Sequence, residues 1–367
     1  MTSRGQLPME RAGATPHTCS AVAIVHALGD DVRDFVPTAT LETLRIRAQV
    51  LDAIRQHFRE AGYFEVETPL LSRDTSVDAH LEPFSIAQVS GDGGVSSELF
   101  FQTSPEFCMK RLLASGAQAI FQICRAARHG ESGQFHNPEF TMIEWYRVGD
   151  TYRDQMRFTE SLVRSALAAV SEASGRERSL GKAEFGRHTF DEAFGIHAGQ
   201  RVLDSSPDDL KLLAERHAVT APESLDFEDR DGWLNLLLAH LVEPHLGRSH
   251  PEFLYDYPAS QAALARIRPD HPPVAERFEL YVDGIEICNG YDELTDPDEL
   301  RTRIAEQNRL RLKNGQRTLP ADSRLLDAMD YGLPRCSGVA LGFDRLFMLG
   351  LGYTTVADVI AFPINRA

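Results

Sequence analysis

The sequence predicts an α+β protein: a largely antiparallel sheet flanked by helices and interrupted by a helical insertion. Three patterns predict it. Runs at 98–103, 120–124, 140–146, 253–257 and 278–288 read as strands of one largely antiparallel sheet. Between about 155 and 250 the pattern turns helical, including 233–241, and breaks into the strand-rich part as an inserted subdomain would. Near the end an apolar run at 338–341 meets Gly342 and then a helical run at 344–349.

Taken in order, residues 1–36 are polar, then briefly apolar, with no sustained period, and read as an N-terminal extension. The stretch 20–28 resembles a short secretory core, but His26 interrupts it and it starts far from the first residue. From Leu44 onward, Leu51, Ile54 and Phe58 fall at helical spacing, and Gly62 stands where a left-handed cap would end the helix. Residues 63–68 alternate, Phe64 and Val66 against Glu65 and Glu67, until Pro69 stops the strand. Residues 91–94 read as a loop.

Composition narrows the function classes. With 367 residues, 43% hydrophobic and 25% charged, the chain is neither collagen, coiled coil nor wholly disordered. Its net charge of −16 repels phosphate backbones and argues against nucleic-acid binding through a basic face. No apolar run approaches the roughly 20 residues of a membrane helix. Cys19, Cys108, Cys124, Cys288 and Cys336 form no C-x-x-C pair, which points away from a disulfide framework or structural zinc and towards a reducing cytosol.

Three segments carry chemistry. In 278–288, Asp283-Gly284 suits a two-residue primed turn. Pairing Val282 with Ile285 then sets Tyr281 opposite Glu286 and Leu280 opposite Ile287, so Glu279, Tyr281, Glu286 and Cys288 share one face. Diagonal neighbours in such a ladder lie about 7 Å apart, a spacing at which two carboxylates can share a magnesium-bound phosphate. A solvated acidic face is the plainer reading of that pair alone. In 125–146, arginines and histidines precede a strand ending in acids and aromatics, able to hold a polyphosphate and stack a base on Phe140. A surface loop of scattered charge fits the same composition. In 338–349, Gly342 permits close approach to a ligand and Arg345 projects from the start of a helix, though tight packing and an ordinary ion pair explain both as well. Neither a G-x-G-x-x-G nor a P-loop pattern is met.

Together, the helix-strand-proline unit ending at Pro69, the segment from Arg128 to Glu144 and the G-F-D-R segment resemble motifs 1, 2 and 3 of class II aminoacyl-tRNA synthetases. S-P-E at 104–106, H-N-P-E-F-T-M-I-E-W-Y at 136–146 and I-E-I-C-N-G-Y-D-E-L at 285–294 are similar to the lysyl branch. The resemblance spans about 44–367, with 37–367 as one catalytic domain. Only about 40 residues precede motif 1, too few for the anticodon-gripping OB barrel of lysyl-tRNA synthetases, so tRNA is not the expected acceptor. C-S-G-V-A-L-G at 336–342 and V-I-A-F-P-I-N-R-A at 359–367 resemble a truncated family, the elongation factor P-(R)-β-lysine ligases.

That resemblance implies an ATP- and Mg²⁺-dependent ligase that activates (R)-β-lysine or lysine and charges a lysine side chain of elongation factor P. Arg128 would hold the α-phosphate and the attacking carboxylate, Arg345 the γ-phosphate, and Glu279 and Glu286 magnesium. Phe140 with Arg345 would sandwich adenine. His129, Gly130, Glu131, His136, Asn137, Leu280 and Gly342 complete the nucleotide contacts. Glu106, Glu144 and Glu293 would bind amino groups, Tyr146 the side-chain ammonium and Asn289 the carboxylate, with Ser104, Pro105 and Glu286 among the substrate-binding positions. A cytoplasmic homodimer joined through the motif 1 helix and strand is implied too.

Two positions depart from the family. Gly130 stands where motif 2 carries an adenine-facing glutamate, with Glu131 one place later. Cys288, beside Asn289, stands where tRNA-charging relatives have glycine and the ligases alanine; it would narrow the pocket for α-lysine and suit a shifted amino group, although packing alone also explains it. A lysine-activating enzyme with tRNA or another carrier as acceptor, and a non-catalytic synthetase paralogue, are the competing readings.

Overall fold

The computed structural model describes residues 35–89, 95–176, 180 and 183–367. The loop expected at 91–94 lies outside them. Helix α1 (Leu41–Glu60) begins where the Thr40 side chain accepts from the Thr43 N–H. It buries Ile46, Val50, Ile54 and Phe58, a stripe at four-residue spacing that bypasses the half-buried Leu51. Gly62 follows with φ +81°, the left-handed stop expected of it.

The alternating strand expected at 63–68 shrinks to β1 (Phe64–Glu65), which pairs in parallel with a single neighbour. It is an edge strand, and its chain soon leaves to form β2 (Leu71–Ser72), which joins β3 (Ser85–Val89) and β4 (Val95–Phe101) in a small sheet of order β2-β4-β3. Phe64 is left 54% exposed.

The main sheet contains β5 (Ala119–Ala127), β6 (Glu139–Val148), β7 (Gly186–Thr189), β8 (Glu252–Pro258), β9 (Ile267–Arg268), β10 (Val274–Val282), β11 (Ile285–Asp292) and β12 (Cys336–Gly342). Its order is β1-β5-β6-β12-β11-β10-β8-β7, with β9 beside β10. The six central strands run antiparallel, and only the outermost pairings are parallel.

Helix α2 (Glu106–Ala114) crosses the sheet near β6. Helix α3 (Tyr152–Ser174) starts on a Thr151/Asp154 capping box and ends at Gly175, φ +66°. The stretch expected to be helical also holds β7 ahead of α4 (Phe190–His197), α5 (Pro207–Arg216) and α6 (Arg230–Leu237). Past β11 come α7 (Pro297–Lys313), α8 (Arg324–Gly332) and, after β12, α9 (Phe343–Leu351).

Alternation along the strands divides the molecule. Ile143, Trp145, Phe278, Leu280 and Leu341 point into the main core with α1, α3 and α9. On the opposite face α2, α7 and α8 pack at one end, around Met109, Leu300 and Leu326. Helices α4 to α6 pack at the other, against Leu254, Tyr257 and Tyr281. The sheet between these clusters bears the candidate site.

Candidate active site

Register, more than any single motif, assembles the site. Gln122 pairs with Glu144, Glu144 with Ala340, Ala340 with Asn289, and Asn289 with Glu279, so one row crosses five strands on one face. Strand β12 contributes Gly338, Ala340 and Gly342 to this face at alternate positions, giving the middle of the row a floor without bulky side chains. At Gly342 an added Cβ would meet only Arg345 Cδ and the Ile287 carbonyl, each at 3.8 Å.

The hairpin expectation needs one correction. Asp283 and Gly284 take φ +54° and +77°, as a primed turn requires, and Val282 pairs with Ile285 and Tyr281 with Glu286. Beyond them a bulge inserts Ile287, so Leu280 pairs with Cys288 and Glu279 with Asn289. Cys288 therefore joins the buried core with Leu280 instead of sharing the face of Glu279, and the expectation that it narrows the lysine pocket from that face fails.

At the nucleotide end, Arg128 leaves β5 with its guanidinium 5.1 Å over the Phe140 ring, Nε donating to the Thr103 carbonyl at 3.3 Å. Arg345, in the first turn of α9, donates to the Phe135 carbonyl at 3.2 Å and the Glu286 carbonyl at 2.9 Å, and contacts His136 Nε2. Its Nη1 lies 3.4 Å from Glu286 Oε2. Glu279, Arg345, Arg277 and Arg128 all lie near enough to act on Glu286 through their charges. Burial, then the Arg345 charge, lowers the pKa of His136, which favours the neutral ring as acceptor for Arg345.

The two acids differ. Glu279 is buried, its Oε1 taking hydrogen bonds from Arg277 at 2.5 Å and Asn289 at 3.4 Å, its Oε2 from Tyr257 at 2.5 Å and Tyr281 at 2.7 Å. Every acceptor direction is used. Glu286 keeps 40% of its side chain exposed, with Arg345 as its ion-pair partner. An open carboxylate of this kind fits a magnesium ion shared with phosphate oxygens, whereas Glu279 reaches one only by releasing a donor. Among the described residues no three His, Cys, Asp or Glu side chains could hold a metal by themselves.

The other nucleotide positions are held as follows. Asn137 donates to the Glu139 carbonyl at 2.6 Å and accepts from the Ile364 N–H at 2.9 Å. His129 stands edge-on to Phe84, ring centroids 5.1 Å apart. Leu280 turns its side chain into the core, and its backbone lies in the ladder, paired with Cys288 on one side and Phe253 on the other. Gly130 has φ +84°, a conformation a glutamate adopts only under strain, and Glu131 forms an ion pair with Arg128 at 3.6 Å. Arg128, not Arg345, lies over the ring of Phe140.

At the amino-acid end, Glu144 is fully buried and accepts from Tyr146 Oη at 2.6 Å and Ser104 Oγ at 2.9 Å. Burial, then the Glu106 charge, pushes its pKa up to about 8. Ser104 also accepts from the Glu106 N–H at 3.0 Å, and Pro105 caps α2. Glu293 is raised by burial while Lys110 pulls it back. Gly338 lies beneath this group: an added Cβ would strike the Tyr146 ring and come within 2.6 Å of Glu293 Oε1. Asn289 Oδ1 is buried with no donor in the protein, an acceptor left for a ligand.

Sequence reading missed Lys110. It is 2% exposed and lies 2.5 Å from Glu106 and 2.6 Å from Glu293. Its signal was present, a lysine four residues after Glu106 beside the apolar Met109. Tyr257, which clamps Glu279 from another strand, carried no local signal, whereas Arg277 stands two residues before Glu279 and shares its face by strand alternation.

A mixed sheet carrying arginines and acids towards one end of a polar row, and carboxylates towards the other, is the arrangement that the resemblance to class II synthetases implies. The chain belongs to the class II tRNA synthetase family of the D, K and N type, whose model matches residues 28–366. Among curated proteins it is similar to the elongation factor P-(R)-β-lysine ligase of Vibrio atlanticus, 44% identical over 90% of this chain and 98% of the relative. The ligases so named from Yersinia enterocolitica and Salmonella arizonae are 43% and 42% identical, each over 90% of this chain and 98% of the relative.

Proposed function

We propose that this protein is an ATP-dependent ligase that activates (R)-β-lysine or lysine as an aminoacyl-adenylate and transfers it to a lysine side chain of elongation factor P. The observation that carries the reading is the similarity to ligases so named through nearly their whole length, joined to a site with cationic and acidic groups at the expected ends. Residues 37–367 act as one catalytic unit in this reading.

The substrate carboxylate attacks the α-phosphorus of ATP, pyrophosphate leaves, and the acceptor amine then displaces AMP. The first step asks for alignment and charge neutralisation more than for a protein nucleophile. Arg128 would neutralise the α-phosphate and aim the carboxylate, with Phe140 and Glu131 beside it for the base. Arg345, kept in place by Glu286 and His136, would meet the terminal phosphate. Magnesium would neutralise the phosphates of the leaving group, held by Glu286 and, after release of its longest bond, Glu279. Glu106, Glu144 and Glu293 would receive the two ammonium groups.

Exposed apolar residues in and flanking motif 1, Phe64 within it and Leu41, Leu70 and Leu71 beside it, support a homodimer joined there, which sedimentation tests. No helix among the described residues is long and apolar enough to cross a membrane, and a translation factor as acceptor supports a cytoplasmic location. The activity is tested by amino-acid-dependent exchange of pyrophosphate into ATP, and the acceptor by mass spectrometry of elongation factor P after incubation. Charged tRNA beside an unmodified factor would overturn the acceptor. No exchange with either amino acid would leave a non-catalytic paralogue.

A further inference from the structure

We propose that Lys110 is a positioning residue of the amino-acid pocket, a built-in ammonium that fixes Glu106 and Glu293 and matches the charge of the pocket to a diammonium substrate. The inference rests on the reading that Glu106, Glu144 and Glu293 receive the amino groups. Lys110 projects from α2 one turn after Glu106, so the helix itself sets the first contact, at 2.5 Å. The second, at 2.6 Å, reaches Glu293 just past the end of β11 and ties α2 to the sheet. Both contacts are shielded, since the Lys110 side chain is 2% exposed and that of Glu293 1%.

Burial alone would strip the proton from Lys110, but the two carboxylates outweigh it and hold the ammonium charged. The count of charges then becomes specific. Three carboxylates, Glu106, Glu144 and Glu293, face one fixed ammonium and leave two negative charges, as many as lysine or β-lysine has ammonium groups. Glu293 Oε2 is engaged by Lys110, while Oε1 lies over Gly338 at the floor of the row. Without Lys110 a diammonium ligand would leave one buried carboxylate uncompensated and two carboxylates free to turn.

The test is direct binding by calorimetry of lysine, β-lysine and ATP, each alone, to the full-length protein and to Lys110→Met and Lys110→Gln. The expected result is an amino-acid Kd weakened about tenfold or more in Lys110→Met, with ATP affinity changed by less than about twofold. Lys110→Gln keeps donors without charge, and loses nearly as much affinity if charge count is what matters. Equal weakening for ATP and amino acid, or no change for either, would reduce Lys110 to a scaffold residue and overturn the proposal. If Lys110→Met does not fold, Lys110→Gln decides, and failure of both to fold also refutes a pocket-specific role. A wild-type protein that binds lysine but supports no pyrophosphate exchange faults the proposed activity and leaves this inference standing. One that binds neither amino acid ends both.

Discussion

Amino-acid binding should expel a proton from Glu144. In the free protein this carboxyl has no solvent contact, and its two oxygens face Tyr146 and Ser104, with Glu106, Lys110 and Cys124 as charged or titratable neighbours. Burial and the Glu106 charge lift its pKa to about 8 from 4.5. At pH 7 it is then about 0.9 protonated. A bound ammonium supplies the countercharge that burial withholds, so the carboxyl ionises and about 0.9 proton leaves per ligand. Release should shrink to about 0.1 at pH 9, and affinity should rise about tenfold between pH 6 and pH 7. Calorimetry of lysine binding in two buffers of different ionisation enthalpy measures it. The sign for stability follows too: the native state holds a proton that the unfolded chain gives up above its ordinary pKa. The ligand-free fold therefore loses stability as pH rises from about 4.5 to about 8, and Glu144→Gln should flatten that slope. Heats of binding that do not depend on the buffer at pH 7 would refute the reasoning.

Arg128→Ala and Arg345→Ala should each lower pyrophosphate exchange by about a hundredfold or more, with the melting temperature little changed; a tenth of wild-type activity in either would contradict the phosphate roles. Glu131→Ala should raise the KM for ATP more than that for lysine, measured in the same exchange assay, because it removes the carboxylate proposed to face the base beside Arg128. Gly338→Ala drives a methyl group into Tyr146 and Glu293, and should weaken lysine binding and cost about 1 to 3 kcal/mol in denaturant unfolding. Asp344 accepts from Arg47 of motif 1 at 2.6 Å and from the Thr141 N–H of motif 2 at 2.8 Å while standing in motif 3. Asp344→Ala should therefore cost about 3 to 5 kcal/mol by the same unfolding measurement.

The features legible in the sequence were those decided within a few residues. Helix α1 and its glycine stop, the Asp283-Gly284 turn and the strand-glycine-helix unit at Gly342 depend on local spacing and backbone preference. The motifs also named which arginines and acids to watch: Arg345 pairs with Glu286, and Glu279 and Arg128 lie near enough to act on the same carboxylate through their charges. Residues 63–68 misled because alternation states which side chains share a face, not whether a neighbouring strand is present to pair with.

By itself, then, the sequence determined the element types around the three motifs, the order of those motifs and the identity of the charged groups. Tertiary structure alone decided where those groups point. One inserted residue at Ile287 turned Cys288 to the core and Asn289 to the site. Packing of α2 against α8 and β6 placed Lys110 between two acids, and Tyr257 and Arg277 filled Glu279 with donors while Glu286 stayed open. The physical reason is that turn and helix signals act between near neighbours, whereas side-chain facing depends on strand register and burial depends on segments far apart along the chain.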